Sequence, residues 1–182
     1  MAAVVSEPEA RTDPGSRAPA SKQAMGKGSA YILPGLFVMA WAFALSGSTA
    51  PGAIAGESTA MGDLRWILYF AGFVFLFSAV MHSVFRKAMA ASIGWQTNGF
   101  ELELASVSLG LSAACFYATY NGIEAMIAVS LPIVAFLFLA GVNHVYEMVR
   151  KQNFAPNNTL ILVWDFGVSV SLVALLAAAH AF

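Results

Sequence analysis

Five apolar segments run through this chain, at about 30–48, 64–85, 100–120, 123–148 and 159–181. Each has about 19 or more residues, enough at ~1.5 Å per residue to cross a hydrocarbon core of ~30 Å. Inside a bilayer no water is available to backbone N–H and C=O groups, so such segments must satisfy those groups within themselves, as helices. The sequence therefore predicts an all-α polytopic membrane protein, with five transmembrane helices in one bundle over 29–182. Only 10% of the residues are charged and 59% are hydrophobic, against roughly 25% charged in ordinary soluble domains. The bilayer is thus the first expected partner.

Residues 1–28 differ in kind. They are rich in Ala, Pro, Ser and Gly and carry Arg11, Arg17, Lys22 and Lys27 against Glu7, Glu9 and Asp13. So little apolar surface cannot support a core, and the segment reads as a disordered tail. Ala53-Ile54-Ala55 resembles a signal-peptide cleavage site, but the long polar stretch ahead of the first apolar run favours a retained signal-anchor helix.

Orientation follows from the basic residues. The tail holds four, the connector after the second span holds Arg86 and Lys87, and the loop after the fourth holds Arg150 and Lys151, while the other side offers only Arg65. The positive-inside rule then places the N-terminus in the cytoplasm and the C-terminus outside, in a bacterial cytoplasmic (inner) membrane crossed several times. Asn157-Asn158-Thr159 would lie on the cytoplasmic side, away from glycosylation.

His82, Glu101, Glu103, His144, Glu147 and Asp165 gather near that same basic end. Ionisable groups at membrane depth are expensive, which makes their clustering the main functional clue. From helix rise, His82 lies ~6 Å deeper than Arg86, and His144 and Asp165 each lie ~9 Å inside their helix ends. Glu101 shares a stripe with Ala105, Ser108, Ser112 and Cys115, and Glu103 the opposite stripe with Ser106, Gly110, Ala114 and Tyr117. Small residues let membrane helices approach closely, so a helix with two such faces is expected near the middle of the bundle.

Two readings of the belt compete. In one, Glu103, His144 and Asp165, with His82 and Glu101 beside them, form a site for a metal ion, a proton or a small molecule. Carboxylate and imidazole ligands suit Zn, Fe or Mn, and His82 with His144 could serve as axial ligands of a haem. In the other, acids at helix N-termini and bases at C-termini answer the helix dipoles, and the belt clasps the bundle shut. Glu147 is best explained by an ion pair with Arg150 or Lys151 along its helix. The clasp suits an accessory subunit of a larger membrane complex, or a homo-oligomer.

Other classes find little support. A net charge of −1 with no basic run argues against nucleic acid. Cys115 stands alone, so no internal disulfide forms, and it reads as a small packing residue. No nucleophile motif, phosphate loop or dinucleotide fingerprint points to an enzyme, and no catalytic residue is assigned.

The stretch IGWQTNGFELELASVSLGL at 93–111 and the stretch GVNHVYEMVRKQNFAPNNT at 141–159 resemble the two signatures of a bacterial family of small uncharacterised integral membrane proteins. The first joins Ile-Gly-Trp to a Phe and an acid opening a small-residue helix; the second joins Gly-x-x-His to an Asn-x-Ala-Pro loop. The resemblance singles out Gly94, Trp95, Phe100, Glu103, His144, Asn153, Pro156 and Asp165. Thr97-Asn98-Gly99 stands where that pattern has Ser-Pro. What the resemblance implies is the membrane fold and the choice of Glu103, His144 and Asp165, with no reaction attached.

Overall fold

The computed structural model describes residues 28–180, so the tail predicted at 1–28 lies outside the described residues except for Gly28. The described part is all-helical: α1 (Ile32–Leu45), α2 (Thr59–Ser83), α3 (Arg86–Ser92), α4 (Phe100–Thr119), α5 (Ile123–Lys151) and α6 (Pro156–Ala178). Four of these, α2, α4, α5 and α6, are long and apolar enough to cross a membrane. With 14 residues, α1 rises only ~21 Å. Its end has a local cause. Ser46 and Ser48 both donate to the Phe43 carbonyl, and Gly47 takes a left-handed φ of +70°, the backbone reversal that ends many helices.

The helix starts also reflect local chemistry. The Ser58 hydroxyl accepts from the Met61 N–H at 3.3 Å, so α2 begins five residues before the apolar run that marks it in sequence. Pro156 opens α6, where its missing N–H is harmless. The connector after α2 winds into the short helix α3, which apolar periodicity alone did not indicate. Pro132 lies within α5, which continues through it as one helix.

Three polar contacts lace α1 across the bundle. Asn157 donates to the Ser29 hydroxyl at 3.2 Å, the Trp41 indole to Ser171 at 3.0 Å, and the Trp66 indole to the Ser48 carbonyl at 3.2 Å. The start of α1 thus meets the start of α6, and its end meets the start of α2. Successive long helices run up and down, with Arg86, Lys87, Arg150 and Lys151 at one end and Arg65 near the other.

The helix at the centre is α2, packed against α1, α4 and α6. Leu64, Ile67, Leu68, Ala71 and Phe75 on it are buried. Its contact with α4 is close: Ser112 donates to the Gly72 carbonyl at 2.8 Å, and the Ser78 and Ser108 hydroxyls lie 3.1 Å apart. The Glu101 stripe of α4 is indeed its buried face, since Ala105, Ser108, Ser112 and Cys115 are all buried. The Glu103 stripe turns outward, with Ser106, Gly110 and Tyr117 exposed. The expectation of a central α4 is therefore corrected. Ser106 donates back to the Leu102 carbonyl at 3.0 Å; a hydroxyl satisfied within its own helix needs no neighbour.

At the end away from the basic residues, Arg65 is buried at 2% exposure. Its Nε donates to Glu57 Oε2 at 2.9 Å, and its two terminal nitrogens reach Glu57 Oε1 and the Thr119 carbonyl. The loop before α2 is thereby tied to the last turn of α4.

Candidate functional site

At the basic end, α5 and α6 form an antiparallel hairpin around His144 and Asp165. Gly141 lets the helices close: a Cβ there would sit 2.9 Å from the Phe166 ring. One turn on, His144 Nε2 faces Asp165 Oδ2 at 4.0 Å. His144 is 8% exposed and Asp165 2%, and no described group hydrogen-bonds Asp165 Oδ2.

The other imidazole nitrogen is committed. Asn158, two helical turns before Asp165 on the same face of α6, lies with Oδ1 2.8 Å from His144 Nδ1. Its Nδ2 donates to the His144 carbonyl at 3.3 Å and to the Asn153 carbonyl at 3.0 Å. With the amide nitrogen so used, Oδ1 must face the ring, and an amide oxygen only accepts. Nδ1 therefore carries hydrogen, and neutral His144 presents a bare lone pair at Nε2 to the Asp165 carboxyl.

A loop contact completes the site. Asn153 donates to the Ile93 carbonyl at 2.7 Å, which draws the connector between α3 and α4 over the loop between α5 and α6. Gly94 makes the turn with φ +78°, and a Cβ there would press on the Asn153 side chain at 3.0 Å. Trp95 then lies over His144, the rings stacked with centroids 5.8 Å apart and planes 22° from parallel. In sequence, Trp95 reads as an interface anchor, and nothing in its spacing ties it to His144.

The remaining sequence candidates fall elsewhere. Glu103 is exposed on the outward face of α4. His82 is half-buried at the end of α2, with Glu101 as its charged neighbour and its Nδ1 buried without a described partner. Glu147 pairs with Lys151 at 2.6 Å, as the i,i+4 spacing suggests, yet its carboxylate is buried rather than on the surface. The expected grouping of Glu103 with His144 and Asp165 is thus corrected. Among the described residues no three His, Cys, Asp or Glu side chains stand close enough to hold a metal ion, because Glu103 points away from His144 and Asp165. For the haem expectation, Asn158 on Nδ1 leaves Nε2 as the nitrogen that would ligate, and that nitrogen faces Asp165 at 4.0 Å. Asn158 went unrecognised in sequence; its spacing of seven from Asp165, two turns on one face, is the signal that could have found it.

No curated protein and no solved structure matches the chain. The profile of a family of unknown function, DUF6790, matches residues 31–182, and the chain belongs to that family.

Proposed function

We propose that this is a multi-pass protein of a bacterial cytoplasmic membrane, crossing it five times with the N-terminus inside, in which His144 and Asp165 form a buried one-proton site in the cytoplasmic leaflet. The observation that carries this reading is the 4.0 Å approach of His144 Nε2 to Asp165 Oδ2 while Nδ1 is held by Asn158. Without a proton the two atoms are acceptors facing each other, and a buried carboxylate left without a partner is costly. One proton on either atom turns that opposition into an N–H···O or O–H···N attraction. The pair is packed by Gly141, Phe166 and Trp95, which suits a proton better than an organic ligand.

The lacing of α1 from Asn157 to Trp66 supports the fifth crossing, and the basic residues gathered at one end support the orientation.

Dicyclohexylcarbodiimide tests the site, since it attacks protonated carboxyl groups in apolar surroundings. Asp165 should be labelled at acidic pH, progressively less as pH rises, and the adduct should vanish in Asp165→Asn. An Asp165 that never reacts across the pH range in which the protein stays folded removes the proposal. A second reading has a specific observation behind it: Asn153 and Asn158 tie three segments together around His144, as a clasp in an accessory subunit of a membrane complex would. On that reading Asp165→Asn lowers stability or assembly and no proton-linked property changes.

A further inference from the structure

We infer that Trp95 is the cover over the aqueous entrance to the His144–Asp165 site and the positioning residue for the His144 ring; this rests on the one-proton reading. The backbone holds Trp95 firmly. Its N–H donates to the Ala90 carbonyl at 2.8 Å, the carbonyl two residues earlier accepts from Asn153, and Gly94 packs against the same Asn153 side chain. Trp95 is 37% exposed while His144 beneath it is 8% exposed. One part of the indole thus rests on His144 and another faces outward at the basic end of the bundle. Elsewhere the hairpin is held close at Gly141 and Phe166 and by Asn158, itself fully buried.

A proton reaching Asp165 from water must pass the edge of this indole. When the ring carries the site's proton, the indole face against it attracts the cation. The titratable groups around His144 are Asp165 from α6 and Glu147 from its own helix, the latter paired with Lys151. The connector over the site, 93–97, adds no ionisable side chain.

Two carbodiimides and two variants of the full-length protein in lipid test this, with Asp165 adducts read by peptide mass spectrometry. A water-soluble carbodiimide should label Asp165 slowly in the wild type and in Trp95→Phe, and about tenfold faster in Trp95→Ala, for which the barrier is lowered accordingly. Dicyclohexylcarbodiimide, entering through lipid, should label all three alike, which also shows that the variants fold. Equal rates with the water-soluble reagent overturn the cover. Absence of any Asp165 adduct with either reagent, in any of the proteins, overturns the proton site instead. If Trp95→Ala fails to fold, the emission of the wild type compared with Trp95→Phe and His144→Gln decides. Acidification should quench Trp emission in the wild type, with that quenching absent in both Trp95→Phe and His144→Gln, and a wild-type emission unchanged by acid also overturns the role of Trp95.

Discussion

The side-chain oxygen of Asn158 accepts a hydrogen bond from His144 Nδ1 at 2.8 Å because both hydrogens of the Asn158 amide already go to the carbonyls of His144 and Asn153. A neutral amide thereby sets the protonation pattern of an imidazole, and the free nitrogen is turned toward Asp165. Nitrogen-15 NMR of labelled histidine should show neutral His144 as the Nδ1–H tautomer. In Asn158→Leu that preference should be lost, with a stability decrease of about 1–3 kcal/mol from the unpaired groups left behind, read by unfolding in mild detergent. A wild-type His144 with hydrogen on Nε2 alone would contradict the assignment.

Arg65 and Glu57 form the counterpart at the other end of the bundle. The Arg65 guanidinium holds the Glu57 carboxyl below its usual value of 4.5. A group whose pKa is lower in the folded state stabilises fully above its unfolded value, and that contribution is lost as pH falls through the folded value. Stability should therefore be level above about pH 4.5 with respect to this group and should decline below it. In Glu57→Gln the acid decline should flatten, and stability near neutral pH should fall, because Arg65 remains buried without a countercharge, facing only neutral oxygens such as the Thr119 carbonyl. An acid profile unchanged by Glu57→Gln would assign the decline to other carboxylates.

What could be read from the sequence, and what could not, follows from the solvent. The long helices were legible because a bilayer demands length and apolarity, and Ala105, Ser108, Ser112 and Cys115 were legible as one face because helical spacing aligns them. The outward turn of Glu103 was not legible. Small residues mark both faces of α4, and Ser106 hides its hydroxyl within the helix. The shortness of α1 depends on two serines and the left-handed Gly47, and apolarity does not stop where the hydrogen bonds do. The pairing of Trp95 with His144 and the part played by Asn158 were illegible for another reason: each arises from a contact between segments distant in sequence, fixed by Asn153 bridging two loops.

The closeness of α5 and α6 makes a separate prediction. A methyl group at Gly141 would meet the tip of the half-buried Phe166 ring at 2.9 Å, so the ring must swing aside or the hairpin that holds His144 against Asp165 must open. Gly141→Ala should destabilise the protein by about 1–3 kcal/mol, in the usual range for overpacking. Gly141→Ala combined with Phe166→Leu should recover much of that loss. If the double variant is no more stable than the sum of the two single ones, the contact does not limit the approach of the helices.

The path of α1 decides between five crossings and four. A 14-residue helix is short for a full crossing, yet its flanks reach from Asn157 at one end to Trp66 at the other. If it crosses, Tyr31 and Gln152 lie on one side of the membrane and Ile54 and Gly122 on the other. Cysteines placed singly at these exposed positions can be probed with an impermeant maleimide, with the native thiol of Cys115 buried and silent. Ile54→Cys and Gly122→Cys should react in intact cells, and Tyr31→Cys and Gln152→Cys only in inverted vesicles. Reaction of Tyr31→Cys in intact cells would mean that α1 turns back within the outer leaflet. The chain would then cross four times, and the hydrogen bond between Asn157 and Ser29 could not form as described.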